Sequence, residues 1–267
     1  MVAATVDMKA ESAGTWLLLD AGNTRVKWAL ADADAPLGQW RVQGAMAHGL
    51  LDTLIAEWQA AGIVPARVLA ANVAGGGVRA AIEGALRVCA PAAAVEWFAA
   101  VPSRAGIVNG YANPAQLGCD RFAAAIGVRA LVPGRPVVIA NCGTATTVDA
   151  VTADGTFIGG MILPGLRLMS GALARNTAQL PQIDAGTVLP PTFADNTHDA
   201  ILSGCLAAQA GAIERAVGAL GGAACIISGG AAPLIAPALN VPARHVDNIV
   251  MLGLHAALLA GEMGETC

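Results

Sequence analysis

The sequence predicts an α/β protein of two similar lobes, each a mixed sheet flanked by helices, with a cleft between them. Hydrophobic residues make up 55% of the 267 residues and charged residues only 13%, which supplies ample material for a large core. Apolar strand-like runs alternate with helical segments along the chain. Each half opens with a strand, a Gly-containing turn and a second strand. This indicates a repeated architecture, although the residues themselves are barely repeated.

The first half is predicted to start with a hairpin and then to alternate. We expect helices near residues 47–60 and 77–89, and strands near residues 15–20, 25–30, 37–43, 67–73 and 94–98. A loop rich in Pro, Gly and Asn follows from Val101 to Gln116, and a helix at 118–131 closes this half.

The second half restarts the pattern. We expect helices near residues 165–176, 199–220, 231–239 and 248–261, and strands near 137–141, 145–151, 155–162, 224–228 and 243–246. Runs such as Val137-Val-Ile-Ala140 are apolar on both faces, which is typical of strands covered by helices on each side. We therefore expect lobes at 14–131 and 132–267, with the last helix packing back on the first lobe.

Composition argues against several classes of function. The net charge of −4 gives no field for gripping nucleic acid. Residues 216–243 carry no formal charge, but their Gly and Pro residues would break a membrane-spanning helix repeatedly. The four histidines lack metal-binding spacing, and no Gly-x-Ser-x-Gly elbow is present.

Cysteine usage and the N-terminus point to the cytoplasm. The six cysteines show neither CxxC nor Cys/His spacing, so we expect free thiols in a reducing compartment. Asp7, Lys9 and Glu11 precede any apolar run, so residues 1–13 are not a signal peptide and are expected to form a flexible extension.

Two hairpin turns carry the strongest signal for chemistry. Leu17–Thr24 and Val137–Thr147 each run from a buried strand into Gly and small polar residues. Such turns suit phosphate oxygens, because Gly permits close approach and the backbone N–H groups are already oriented. Two of them suggest a two-lobed clamp around a nucleotide. In Gly143-Thr-Ala-Thr-Thr147, however, Thr is also simply a good strand former.

Asp20 ends the first buried strand, next to that turn. A carboxylate there can hold hydrated Mg²⁺ beside phosphates, or it can cap its own hairpin as an Asx turn. Lys27 lies two strand positions past Arg25 and shares its face, so it could neutralise phosphate charge or lie on a solvated strand face.

The segment from Tyr111 to Arg121 forms a third constellation. Asp120 falls in the first turn of a predicted helix, where it either caps the helix or accepts the proton of an attacking hydroxyl. Arg121 would clamp a substrate carboxylate with two prongs. Ser228-Gly-Gly230 either lets the chain pass flat against a ring such as adenine or is a plain strand-to-helix turn.

Taken together, these residues resemble type III pantothenate kinases, a family of the acetate and sugar kinase/Hsp70/actin superfamily. The resemblance runs from about Leu17 to Leu259. It rests on an ordered set of segments: Asp20-Ala-Gly-Asn-Thr-Arg-Val-Lys27, Tyr111, Asn113-Pro114, Gly118-Cys-Asp-Arg121, Gly143-Thr-Ala-Thr-Thr-Val-Asp149, Gly159-Gly-Met-Ile-Leu-Pro-Gly165, Asn196-Thr197 and Ser228-Gly-Gly230.

The resemblance implies the actin-like, ribonuclease H-like ATPase fold and an activity. That activity is ATP-dependent phosphorylation of pantothenate to 4′-phosphopantothenate, the first step of coenzyme A synthesis. It also implies Mg²⁺, a monovalent cation (K⁺ or NH₄⁺) and a homodimer with the substrate site near the interface.

Residue roles follow from the same resemblance. The first phosphate-binding motif for ATP would be Asp20, Ala21, Gly22, Asn23, Thr24, Arg25, Val26 and Lys27, with Asp20 holding Mg²⁺ through water. Thr144 would contact ATP. The pantothenate pocket would be lined by Tyr111, Gly118, Cys119, Asp120 and Arg121, with Asp120 as the general base and Thr197 closing it.

One position departs from the family pattern. The family commonly has Asp where this chain has Asn141, and that Asp is associated with the monovalent cation. Asn keeps an oxygen ligand but loses the charge, so we expect weaker or differently organised cation dependence. Two other functions stay open: a kinase of another small hydroxylated acid or sugar, and a non-catalytic ATP-binding regulatory accessory protein.

Overall fold

The computed structural model describes residues 14–174 and 187–264, with side chains except those of 174 and 262–264. The predicted N-terminal extension, 1–13, and the predicted end of the helix at 165–176 lie outside the described residues.

The first sheet has five strands around a buried central strand. Its strands are β1 (Thr15–Ala21), β2 (Arg25–Asp32), β3 (Val42–Ala47), β4 (Arg67–Asn72) and β5 (Ala94–Trp97), in the order β3-β2-β1-β4-β5. β1 pairs antiparallel with β2 and parallel with β4. Helices α1 (Leu54–Ala60) and α2 (Gly76–Cys89) belong to this half, and a 3₁₀ turn at His48–Thr53 takes the first part of the helix predicted at 47–60.

The second sheet repeats this order and extends it. Its strands are β6 (Ser103–Arg104), β7 (Ile107–Asn109), β8 (Val137–Cys142), β9 (Ala145–Val151), β10 (Thr156–Pro164), β11 (Ala224–Ser228) and β12 (Ala243–His245). The order β12-β11-β8-β9-β10-β7-β6 contains the arrangement of the first sheet, with β8 in the place of β1. The predicted repetition of architecture is confirmed.

Five further helices lie in the described part of the chain. They are α3 (Cys119–Leu131), α4 (Leu166–Ala174), α5 (Thr197–Ala219), α6 (Ala232–Ile235) and α7 (Ile249–Gly264). A 3₁₀ turn at Ala236–Ala238 takes the second half of the helix predicted at 231–239. Among the described helices, none is long and apolar enough to cross a membrane.

The strand predicted at 37–43 is misplaced, because β3 begins only at Val42. Gly38 has φ +79°, which favours Gly and ends extended structure there. Its N–H donates to Nδ1 of His255 on α7 at 3.2 Å. The segment before β3 is therefore used to dock α7 onto the first sheet.

The predicted loop at 101–116 contains the short strands β6 and β7. β7 pairs parallel with β10 through Val108 and Thr156, so it extends the second sheet although it precedes residue 131. A left-handed turn at Ala105 and Gly106 joins the two strands. The sheets thus do not separate at residue 131, and a lobe boundary there stays a prediction.

Helices α3 and α7 pack at very close range. A Cβ on Gly253 of α7 would lie 1.7 Å from the backbone oxygen of Ala123 on α3. A Cβ on Gly127 would lie 2.8 Å from the backbone nitrogen of Gly253. One hydrophobic cluster joins both helices to residues of β1, β4 and β8. This shared core fixes α3, whose first turn carries Asp120 and Arg121.

Candidate active site

Asp20 and Lys27 form a cross-strand pair at the end of the first hairpin. They are direct partners in the antiparallel register of β1 and β2, so their side chains lie on the same face. The turn between these strands is closed by the N–H of Gly22, which donates to the carbonyl of Arg25 at 3.2 Å. Ala21 and Val26 are fully buried in a hydrophobic cluster that the first sheet forms with α1 and α2. The polar face of this motif therefore consists of Asp20, Arg25 and Lys27.

The two hairpin turns predicted to hold phosphates meet in space. Oγ1 of Thr24 lies 2.5 Å from Oγ1 of Thr144, across 120 residues of sequence. Both hydroxyls are exposed. Gly165 packs under the second turn, since a Cβ there would lie 2.3 Å from the carbonyl oxygen of Gly143. Donors from both sheets therefore converge on one point.

The N-terminus of α3 lies beside the ends of β1 and β4. The Cys119 thiol donates to the carbonyl of Asn72 at 3.6 Å, and Asn72 pairs with Ala21, which follows Asp20. Burial raises the pKa of Cys119, which keeps this thiol protonated in its contact with Asn72.

Asp120 occupies the first turn of α3 in a space that Gly118 leaves open. A Cβ on Gly118 would lie 2.7 Å from Oδ1 of Asp120. The same Oδ1 accepts the N–H of Arg121 at 2.8 Å. The carboxylate thus takes part in capping, as one of the two interpretations expected.

Burial makes both carboxylates more basic than usual. It raises the pKa of Asp20 to about 6, Lys27 opposes this rise, and the charge of Asp120 adds to it. Burial also raises the pKa of Asp120, against the N–H and the charge of Arg121. The charge of Asp120 thus acts on Asp20, in keeping with the Cys119–Asn72 contact that seats the start of α3 beside the end of β1.

Arg121 is paired with Asp149, a residue for which the sequence predicts no role. Its Nε donates to Oδ1 and Oδ2 of Asp149 at 3.0 and 3.2 Å, and its Nη2 donates to Oδ1. Its Nη1 donates to the Tyr111 hydroxyl at 2.9 Å. Burial alone would lower the pKa of Arg121, but Asp149 outweighs it and the net pKa is raised. The side chain predicted as a free clamp is thus an oriented, ion-paired one.

A cavity of about 420 Å³ opens between β2–β3 and the second half of the chain. Arg25 and Lys27 line one side of it, and Gly229 and Gly230 line the other. Gly229 has φ +93°, and a Cβ there would lie 2.4 Å from the carbonyl oxygen of Cys142, so the Ser228-Gly-Gly230 turn is tightly seated. The remaining lining residues are Gln43, Gly44, Ala45, Pro233, His245, Asp247 and Asn248.

The donor set fits hydrated Mg²⁺ better than a directly ligated metal. Among the described residues, no group of three or more His, Cys, Asp or Glu side chains could hold a metal ion. Asp20 is one desolvated carboxylate at the phosphate turns, which suits an ion that keeps several waters and shares phosphate oxygens. The five cysteines within the described part of the chain are free thiols.

Thr197 lies away from these residues, whereas Asn141 directly precedes the second turn. Thr197 begins α5 and lines an open groove with Met169 and Leu173, and no described contact links it to Tyr111, Asp120 or Arg121. Asn141 pairs with Thr147 and Ser228 near the end of β8, in the position that Asp20 has in β1. Asn141 is thus the counterpart of Asp20 in the second sheet.

Two mixed sheets of the same strand order, with a polar turn from each in contact through Thr24 and Thr144, have the actin-like ATPase and sugar kinase fold. A solved structure from Sinorhizobium meliloti, described as a 2-dehydro-3-deoxygalactonokinase, has a TM-score of 0.54 at 14% identity and covers 94% of this chain and 99% of its own. A Campylobacter jejuni structure, described as a Baf family transcriptional activator, has a TM-score of 0.61 at 16% identity, covering 93% and 99%. At such identities these likenesses show the fold alone.

The sequence comparisons identify the family. The family model for type III pantothenate kinase matches residues 16–219. The type III pantothenate kinase of Herminiimonas arsenicoxydans is 53% identical over 252 residues, covering 91% of this chain and 97% of the relative. This chain belongs to the type III pantothenate kinase family.

Proposed function

We propose that this chain transfers the terminal phosphoryl group of ATP to the primary hydroxyl of pantothenate. The product is 4′-phosphopantothenate, and the reaction is the first step of coenzyme A synthesis. Family membership supports the reaction. The observation that carries the mechanism is the contact of Thr24 with Thr144, beside which the Cys119–Asn72 contact seats the start of α3, and so Asp120, next to the end of β1.

The triphosphate would lie at the two turns, with adenosine in the cavity beyond them. Arg25 and Lys27 line that cavity and supply positive charge, and Thr24 and Thr144 supply hydroxyl donors. Asp20 would hold Mg²⁺ through water, and that ion would neutralise charge on the phosphate oxygens. Phosphoryl transfer leaves the protein mainly positioning and charge-neutralising work, which this arrangement suits.

Asp120 would be the general base. Its pKa is raised by burial, and a carboxylate more basic than usual accepts the proton of an alcohol more readily. Arg121 would bind the far carboxylate of pantothenate. The described hydrogen bonds use three of its five N–H groups, which leaves one on Nη1 and one on Nη2 for substrate.

We also propose a homodimer, with the substrate site near the interface. Ile158 and Ile162 on β10 are 52% and 65% exposed, and Leu168 and Leu173 on α4 are 46% and 49% exposed. The groove containing Thr197 adjoins this apolar surface through Leu173. A second copy covering the surface would bury these side chains and bring Thr197 to the interface. A monomer by light scattering would contradict this.

The proposal extends to the monovalent cation that the enzyme would bind and to its location in the cell. K⁺ or NH₄⁺ would bind weakly beside Asn141, because an amide oxygen lacks the charge of a carboxylate. An enzyme of coenzyme A synthesis would act in the cytoplasm.

The test is release of ADP by the purified chain with different acceptors. We expect release with pantothenate, and none with an analogue that lacks its primary hydroxyl. Equal release of ADP with a hexose or a short hydroxy acid would show that pantothenate is not the specific substrate. Binding of ATP without release for any acceptor would favour a regulatory accessory protein.

A further inference from the structure

The Arg121–Asp149 pair is buried and closely fitted. The Arg121 side chain is 8% exposed and that of Asp149 is 2% exposed. Two guanidinium nitrogens, Nε and Nη2, face the carboxylate, which is the bidentate geometry that fixes an arginine in one plane. Asp149 lies on β9 in the second sheet, whereas Arg121 lies on α3. The pair therefore ties the orientation of Arg121 to a rigid strand.

Gly160 on β10 leaves the space that this pair occupies. It is the direct partner of Asp149 in the register of β9 and β10. A Cβ on Gly160 would lie 2.1 Å from Oδ1 of Asp149, 2.6 Å from the backbone oxygen of Val148 and 2.8 Å from Nη2 of Arg121. Even one methyl group would press on the β9 backbone and displace the Asp149 carboxylate, and with it the guanidinium.

Tyr111 and Phe157 complete the setting of the guanidinium. The Tyr111 hydroxyl accepts from Nη1 at 2.9 Å, and the Tyr111 ring lies 5.8 Å from the Phe157 ring. The guanidinium carbon lies 5.8 and 5.7 Å from the two ring centroids. Arg121 is thus held on three sides.

Stability alone does not account for such a pair. Desolvation of two buried charges offsets much of their attraction, so buried ion pairs add little net stability over apolar packing. Their best-attested benefit is fixed geometry.

We propose that Asp149, with the space left by Gly160, is a positioning residue that aims the remaining N–H groups of Arg121 at the carboxylate of the acceptor. This inference rests on the proposed function, since it takes pantothenate as the acceptor and Arg121 as the residue that binds its carboxylate. Asp149 acts through Arg121 and does not touch substrate. Without Asp149, Arg121 is expected to turn toward Asp120, the next carboxylate in the site.

The test compares steady-state kinetics of Asp149→Asn and Gly160→Ala with wild type. Asp149→Asn removes the charge at nearly constant shape, whereas Gly160→Ala keeps both charges and displaces the guanidinium. We expect each to raise the KM for pantothenate about tenfold or more, with the KM for ATP within about twofold. Gly211→Ala, on an exposed face of α5 with nothing near its Cβ, is the matched control and should leave both constants unchanged.

Combination with Arg121→Ala separates positioning from a structural role. In an Arg121→Ala background, Asp149→Asn and Gly160→Ala should change the KM for pantothenate by less than about twofold, because residues acting through one another are non-additive. Full, multiplicative effects in that background would overturn the proposal. So would effects that fall equally on ATP, or single variants with wild-type kinetics.

The design works even if a single variant fails to fold. The guanidinium is absent from the double variants, and their KM for pantothenate is compared with that of Arg121→Ala alone. Failure of the proposed function would be seen separately, as absence of pantothenate-dependent ADP release in the wild-type chain.

Discussion

Acidification should destabilise the chain through His255, a buried histidine on α7. The ring is fully buried, 5.9 Å from the Trp16 ring and 5.2 Å from the Trp40 ring. Its Nδ1 accepts the N–H of Gly38, so the neutral ring carries its proton on Nε2. Nε2 has no hydrogen-bond partner among the described residues. A second proton would therefore displace the Gly38 contact and leave a buried charge without an acceptor.

The size of the loss in unfolding free energy follows from the pKa of His255 in the folded and in the unfolded chain. Burial lowers the pKa of His255 from its ordinary value of 6.5 to about 4. The unfolded chain takes up the proton first as the pH falls, so the contribution is fully present above pH 6.5 and is lost between pH 6.5 and about 4. Each pH unit in this window removes about 1.4 kcal/mol of unfolding free energy, and the window as a whole removes roughly 3 kcal/mol.

The assay is urea unfolding at pH 7.5 and pH 4.5, for wild type and for His255→Gln. The difference between the two proteins is the useful quantity, because Asp20 titrates in the same window with the opposite sign. Burial raises the pKa of Asp20 to about 6, so this carboxylate adds stability as the pH falls. Wild type should lose roughly 2 to 3 kcal/mol more than the variant. Equal losses would show that His255 is not the group responsible.

Three further predictions concern other parts of the molecule. Asp20→Asn should lower turnover, measured as ADP release at a fixed ATP concentration, by about 10²-fold. Turnover close to that of wild type would show that Asp20 does not act at the phosphate site. In a KCl titration, wild-type turnover should depend only weakly on K⁺. The turnover of Asn141→Asp should reach its maximum at a lower K⁺ concentration, because the new carboxylate adds charge to the cation site. Loss of all wild-type activity without K⁺ or NH₄⁺ would contradict this. Gly253→Ala should lower the unfolding free energy by about 1–3 kcal/mol in urea titrations, because its Cβ would collide with the Ala123 carbonyl, and an unchanged midpoint would refute that close contact.

The repeated hairpin could be predicted from sequence because its signals are local. Buried strands ending at Asp20 and at Asn141, each followed by a Gly turn, are visible in a single stretch of residues. The two-lobed clamp that these turns suggest is a tertiary property, and the contact between Thr24 and Thr144 is the observation that brings the turns together.

The register of β3 and the strand β7 could not be predicted for the same reason. Residues 37–41 have strand-like composition, but Gly38 is used to contact α7. β7 is only three residues long, and its pairing with β10 comes from a partner about fifty residues later.

Asp149 was missed because its importance lies in its partner. In sequence it is one acidic residue in a Thr-rich strand, as a solvated strand face would also show. A signal was present, since its neighbours Val148, Ala150 and Val151 are apolar and a buried carboxylate requires a cation. The partner, Arg121, lies 28 residues away and was interpreted as facing substrate.

The measurement that tests the mechanism most directly is the turnover of Asp120→Asn with pantothenate and ATP. Removal of a positioned base should lower kcat by roughly 10²–10⁴-fold, while ATP affinity and the urea midpoint stay close to wild type. A variant that phosphorylates pantothenate at nearly the wild-type rate would show that this carboxylate does not accept the proton, and the mechanism would fail.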